Sequence, residues 1–316
     1  MNRINNLFVY YCLALNGIAL TINNTLLTPP EVYVHWFQPL NNAQRYTSLP
    51  YISGDTFRSI ANIIIDELRI PVDPSSIQDG DIIFLKTEML NFFFTQVHPQ
   101  ISNHYLLITH NSDFSSPGNY AHMLDNPKLI AWFAVNPDLT SHPKLFAIPI
   151  GLTNRYLPAG DIHTLNSLLT HILTINKNIL LYVNFSHTNK DRVAIKQLFI
   201  DKPFCHHSEN KSWASYLTDM AQSKFVLSPN GNGLDCHRTW EILLMGSIPV
   251  VKKSSLDSLY EDLPVLIVNN WQEVTEELLT QKYPEIIQKT YNRKKLYAAY
   301  WLDKIKNYQE AFLKNK

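Results

Sequence analysis

Short runs that are apolar throughout alternate with polar loops and with stretches of helical spacing. Ile82–Leu85, Tyr105–Ile108, the apolar parts of "LIAWFAVNPD" and "KLFAIPIGL", Ile179–Val183, Phe225–Leu227, "SIPVVKK" and "LPVLIV" are runs of this kind. Continuous apolarity suits strands of a parallel sheet covered on both faces, whereas a half-exposed strand would alternate. "EVYVHWF" reads as a further strand, leading into the first half. Between the runs, Ser53–Leu68 places Ile60, Ile63, Ile64 and Leu68 on one helical face, with Gly54 and Asp55 at its start, where Asp or Thr can cap. A helix follows the Ile82–Leu85 strand, and others are predicted over "TLNSLLTHILTI", from about Asp191, over "SWASYLTDMA", after Cys236 and after Trp271. The C-terminal "RKKLYAAYWLDKIKNYQEAFLKNK" has the pattern of an amphipathic helix with a solvated lysine face.

Repeated strand–loop–helix order predicts an open α/β fold. A length of 316 residues suits two domains. The expected divisions are an N-terminal apolar segment over 1–30, a first Rossmann-like domain over 31–165, a second over 166–295 and a terminal helix over 296–316. A hydrophobic share of 45% supports a large core and argues against disorder. Lys and Arg total 27, as do Asp and Glu, so no overall field attracts nucleic acid or an anionic membrane. Three cysteines, with no CxxC pair and no Cys/His ligand spacing, indicate neither a zinc site nor a disulfide framework. The apolar run Leu7–Leu20 has the length of a signal-peptide core but is broken by Asn16 and Gly17 and lacks a clean A-x-A site. A signal would place the chain in the secretory route or at a membrane; a buried segment leaves the cytoplasm.

Ligands of open α/β sheets bind beyond the carboxyl ends of the strands. That rule nominates the loops Asn184–Arg192, Ser228–Arg238 and Lys252–Leu256. In the second, Ser228, Asn230, Gly231 and Gly233 give a path along which a ligand can approach the backbone, running into a helix N-terminus suited to an anion. Arg238 adds a planar fork matched to phosphate oxygens, although the helix dipole disfavours a cation there. Glu241, one turn on, shares its face and can accept ribose hydroxyls. The alternative is a surface Arg238–Glu241 ion pair, worth about 0.3–0.5 kcal/mol. Asn184, Ser186 and Arg192 repeat the arrangement in the first loop, where turn chemistry is the competing reading. Across the cleft, His110 and Asp113 are the candidates for a general base, with Asp55 and Glu88 competing. Adjacent Cys236 and His237 are set aside as a thiol–imidazole pair, since neighbouring side chains diverge. The motifs GxxxxGK[ST], GxSxG and HExxH are all absent, which disfavours P-loop, hydrolase and zincin chemistry; Asp79-Gly80-Asp81 is a DxD triplet, at the Gly-marked turn before the Ile82–Leu85 strand.

The segment "SKFVLSPNGNGLDCHRTWEILLMGSIPVV" resembles the donor-binding segment of exostosin-like glycosyltransferases, with Pro229 and Gly231 as "P-x-G", Arg238 and Glu241 as "R-x-x-E", and Gly246, Ile248, Pro249 and Val250 as "G-x-I-P-V". Pro264 and Trp271 fit that family's "LP … W" tail, and Arg192 its strand–loop–arginine element. The resemblance spans Leu180–Glu276 and departs at Ser247, where the family carries cysteine. It implies a GT-B-like fold, two Rossmann-like domains facing across a cleft, and inverting transfer from a nucleotide sugar, commonly a UDP-sugar, to a glycan or other hydroxyl acceptor; metal-independent neutralisation by arginines and helix dipoles is what the residues themselves suggest. Arg238 and Arg192 would then serve the diphosphate and Glu241 the ribose, with no cofactor beyond the donor itself. The alternatives are a fucosyltransferase-like enzyme using GDP-fucose and an inert nucleotide- or glycan-binding protein on the same scaffold.

Overall fold

The computed structural model describes residues 47–188 and 190–315, together with the backbone of a short antiparallel hairpin, β1 (Leu20–Ile22) and β2 (Thr25–Leu27). The apolar run up to residue 19 and the "EVYVHWF" segment lie outside the described residues.

Two five-stranded sheets, each parallel throughout, form the two halves. The first contains β3 (Ile63–Ile65), β4 (Asp81–Lys86), β5 (Tyr105–His110), β6 (Leu129–Ala134) and β7 (Leu145–Ala147), side by side in chain order. The second contains β8 (Ile179–Val183), β9 (Cys205–His207), β10 (Ser223–Leu227), β11 (Ile248–Lys252) and β12 (Leu266–Val268), in the order β12-β11-β10-β8-β9. All six residues of β5 are buried, as a run without alternation requires. This is the open α/β architecture in two halves that the strand runs predict, and it is consistent with the GT-B-like fold that the resemblance implies.

The main helices are α1 (Gly54–Arg58), α2 (Ile162–Leu169), α3 (Lys190–Phe199), α4 (Trp213–Ala221), α5 (His237–Leu244), α6 (Glu276–Ile287) and α7 (Ala298–Lys314). Three cores result. One lies on the outer face of each sheet, and the largest runs between the halves, joining Phe84 and Phe133 to Trp240, Leu243 and Trp301. The terminal helix does not stay with the half it follows. In α7, Tyr308 packs on Phe133 and Phe146 at centroid distances of 5.7 and 4.6 Å, and Gln309 Nε2 donates to the Gly80 carbonyl at 2.7 Å. Among the described residues no helix is long and apolar enough to cross a membrane.

Two sequence expectations change. The helix over Ser53–Leu68 stops at Arg58, and Ile63–Ile65 extends as β3, with Ile63 opposite Ile83. Three successive β-branched side chains favour the pleated strand over a helix, and the parallel neighbour decides it. The cap of α1 is Ser53, whose Oγ accepts the Thr56 N–H at 3.2 Å; Asp55 is instead committed to Arg58. After β4 the chain makes single 3-10, α and π turns over residues 87–100 rather than one regular helix.

Candidate functional site

The second sheet has a switch point. Its first strand, β8, lies between β9 on one side and β10 on the other, so the loops leaving β8 and β10 run to opposite faces and open a crevice at their carboxyl ends. The first sheet, with its strands in chain order, has no such point among the described strands. A cavity of about 560 Å³ occupies the crevice. Asn184, Ser186, Arg192, Gly231, Gly233, Arg238 and Glu241 line it, and Asp113 faces them from the first half. Ser228 and Asn230 do not line it: Ser228 is buried against Thr239 Oγ1 at 2.9 Å, and Asn230 presents its carbonyl to Arg192.

Arg238 and Glu241 project from the first turns of α5, and they do not form the surface ion pair that was the alternative. Arg238 Nε donates to the Tyr216 phenol oxygen at 2.9 Å, and Trp213 Nε1–H donates to Glu241 Oε1 at 2.9 Å. Both partners come from α4, so one helix orients both charges. Glu241 is only 4% exposed; burial raises its carboxyl above the usual range, while the Trp213 bond and the Arg238 charge pull it back. Its second oxygen accepts no hydrogen bond from the described residues, which leaves a prepared acceptor at the cavity wall.

Arg192 behaves differently. Its Nε donates to the Asn230 carbonyl at 2.8 Å, and its terminal nitrogens reach the carbonyls of Pro229 at 3.0 Å and Ser186 at 3.2 Å. The side chain therefore ties the β10 loop to the β8 loop, with its donors largely spent. Both guanidinium groups stand over the Phe185 ring, Arg238 at 5.6 Å and Arg192 at 5.8 Å from its centroid. Burial and the Arg238 charge lower the Arg192 pKa. The two cations meet at this ring, and an anion in the cavity would relieve their mutual repulsion.

The opposite wall revises the candidates for a base. Asp113 is exposed at the cavity, and its Oδ2 accepts from Asn232 Nδ2 at 3.4 Å. His110 is not in the cleft. It is the last residue of β5 rather than a loop residue, is 1% exposed, and its ring is stacked near Phe57 and Phe84. Its Nε2–H donates to the Pro149 carbonyl at 3.1 Å and its Nδ1 accepts the Asn111 N–H at 2.7 Å, so neither nitrogen is left for a substrate. Burial pushes this imidazole down to about 4. Asp55 is buried in ionic contact with Arg58, and Glu88 is exposed away from the cavity. The Lys252–Leu256 loop lies outside the cavity, and Ser255 Oγ crosses to the Pro137 carbonyl at 2.6 Å.

Two residues of the Ser228–Arg238 stretch carry more than the sequence suggested. His237, at the start of α5, donates its Nδ1–H to the Gly151 carbonyl of the first half at 2.8 Å, which leaves Nε2 as the acceptor nitrogen of a residue lining the cavity. Burial lowers its pKa, so the ring is neutral near pH 7. Gly151 has φ +67°, and a Cβ there would lie 2.3 Å from the Ile52 carbonyl, so only glycine fits. Asp235 is the second. Its carboxylate accepts the Ile150 N–H at 2.8 Å, the Cys236 N–H at 2.9 Å and the Trp240 indole N–H at 2.9 Å, while its own N–H donates to Asn136 Oδ1 at 2.7 Å. Burial raises this carboxyl to about 6 against those donors. Gly233 completes the contact, since a Cβ would stand 2.7 Å from Asn136 Nδ2. Its small size thus serves the docking of the β10 loop on the first half. A lone Asp before Cys in "GLDCHR" gives no sign of this at the sequence level; the signal lies in the pairing of two distant segments.

Fold and site together define a two-sheet α/β protein with an anion-suited crevice at the switch point of its second sheet. Residues 176–314 match the family model described as the RXYLT1 C-terminal domain. No curated protein sequence matches the chain. Among solved structures the chain is similar to the GtfA/B complex, at 13% identity over 76% of this chain and 57% of that one, with a TM-score of 0.34. It is also similar to a glycosyltransferase from Rickettsia africae ESF-5, at 11% identity over 75% of this chain and 78% of that one, with a TM-score of 0.40. The chain spans only 57% of the length of the first. Among the described residues no group of three or more His, Cys, Asp and Glu side chains is gathered as a metal site would need.

Proposed function

We propose that the protein is a glycosyltransferase that binds a nucleotide sugar in the crevice of its second sheet and a hydroxyl acceptor against its first. The observation that carries the reading is the pair Arg238 and Glu241, held on one face of α5 by separate donors and acceptors of α4, with a cation and an open carboxylate oxygen at one cavity wall. Arg238 would sit against the diphosphate, where charge develops as the nucleotide leaves, and Glu241 against the ribose hydroxyls. Arg192 holds the loop that completes this wall. A cavity of about 560 Å³ falls within the range of small-molecule sites. The match of residues 176–314 to the RXYLT1 C-terminal domain, a xylosyltransferase-related family, supports this and makes UDP-xylose the first donor to test.

For the acceptor proton, the cavity offers Asp113 and His237. His237 has the better preparation, because the Gly151 carbonyl fixes the tautomer that leaves Nε2 basic. Charge neutralisation by arginine rather than by a metal, and inversion at the anomeric carbon, complete the proposed mechanism. Nucleotide release from UDP-sugars, measured with and without a glycan acceptor, tests it. Arg238→Ala should lower release by about 10²–10³-fold and Glu241→Ala should lower it strongly; unimpaired turnover in both overturns the assignment, and binding of UDP without turnover favours an inert binding protein.

A further inference from the structure

A second cavity, of about 580 Å³, lies at the amino ends of the second sheet's strands, away from the crevice at their carboxyl ends. Lys177 precedes β8, Lys224 is the second residue of β10, and Ser247 and Pro264 precede β11 and β12. Tyr283 of α6 and, after it, Lys289 and Arg293 close the other side. The lining holds four cations, Lys177, Lys224, Lys289 and Arg293, and no carboxylate. None of the four has an acidic partner within 4 Å among the described residues.

The four are not equivalent. Lys177 is committed to the protein: Nζ donates to the Ala221 carbonyl at 2.9 Å and to Ser247 Oγ at 2.7 Å. Burial and the Arg293 charge push its amine down to about 8. Lys224 Nζ stands 5.1 Å from the Tyr283 ring centroid. The Arg293 side chain, half-buried, has no hydrogen bond, ion pair or ring contact among the described residues. An unpaired guanidinium beside other cations in a partly desolvated wall is costly unless something neutralises it. Its planar fork of donors is shaped for an oxyanion. Beside these charges the wall is apolar, with Ile172, Ile286 and the Tyr283 ring, so the anion need not be a bare ion.

We propose that this cavity is a second binding site, separate from the nucleotide crevice, for a phosphate-class oxyanion carried on a small molecule. Arg293 is its direct donor, Lys224 and Lys289 neutralise it further, and the Tyr283 ring covers the carrier. Phosphorylated metabolites and phospholipid headgroups share this chemistry. Thermal unfolding at constant ionic strength, in phosphate, in glycerol 3-phosphate and in chloride, tests the site, with flotation on phosphatidic acid and phosphatidylcholine vesicles as a further arm. Both soluble phosphates should raise Tm above the chloride value. Arg238→Gln, in the crevice, should keep most of the rise. Arg293→Gln should fold with a Tm in chloride equal to or above the wild-type value and weaken the apparent affinity tenfold or more. If Arg293→Gln is poorly folded, Lys224→Gln with direct calorimetry of glycerol 3-phosphate carries the comparison. Binding of phosphatidic acid vesicles alone, lost in the same variants, assigns the anion to a lipid headgroup. An equal rise in wild type and both variants, or no response beyond chloride in any arm, overturns the proposal.

Discussion

The loops after β8 and β10 each deliver an arginine from the first turn of the next helix to the same cleft, beside the same phenylalanine ring. Arg192 is 4% exposed and donates to three backbone carbonyls of the two loops, whereas Arg238 makes one neutral bond, to a phenol. Position in the strand–loop–helix unit therefore does not assign a role. What separates the two is whether the backbone has already used the donors: the first arginine builds the cleft, and the second is available to whatever enters it.

That contrast makes opposite predictions for one substitution. Arg238→Ala should lower turnover of a nucleotide sugar by about 10²–10³-fold, the usual loss for one preorganised charge-stabilising donor, with little change in Tm. Comparable turnover would remove the functional side of the contrast. Arg192→Ala should instead act on the fold. Three carbonyls lose a charged donor, a cost of about 3 kcal/mol in urea unfolding. If Arg192→Ala unfolds like wild type but fails to bind nucleotide, the two arginines share one task.

Asp235→Asn should cost about 1–3 kcal/mol, because the amide cannot accept from all the donors that converge on the carboxylate. The effect should vary with pH. Burial raises the Asp235 carboxyl from 3.8 to about 6, so the native state holds this proton more tightly than the unfolded chain does. Its contribution to stability is then complete below the unfolded value and declines as pH rises through about 6. The gap between wild type and Asp235→Asn should narrow over that interval, as read by denaturant unfolding at a series of pH values. The smallest effect is expected of Tyr216→Phe, which leaves Arg238 in place but removes its tether; loss of one hydrogen bond of about 1 kcal/mol predicts roughly a fivefold rise in KM.

Much of the second half could be read from the chain. Its wholly apolar runs became β8, β10, β11 and β12, and two of the three loops nominated by the carboxyl-end rule open at the switch point, while Lys252–Leu256 lies outside the cavity. Where the expectations failed, local pattern was weaker than distant pairing. Ile60, Ile63 and Ile64 satisfy helical spacing, but β4 offered a partner strand. His110 reads as a loop residue until β5 is seen to run two residues further beside β4. His237 and Asp235 could not be found at all from their neighbours, because what orients them is the backbone of residues 150 and 151.

The return of α7 to the first half sets an order of assembly. Gly80 and Gln309 meet across 229 positions, so the first sheet leaves the ribosome long before the helix that covers it. At synthesis rates of about 5–20 residues per second that interval is roughly 10–50 s. During it, Phe133 and Phe146 lack the Tyr308 ring that packs on them. The second half, whose strands are all made before α7, can finish its own sheet first; the half that is synthesised earlier is completed later.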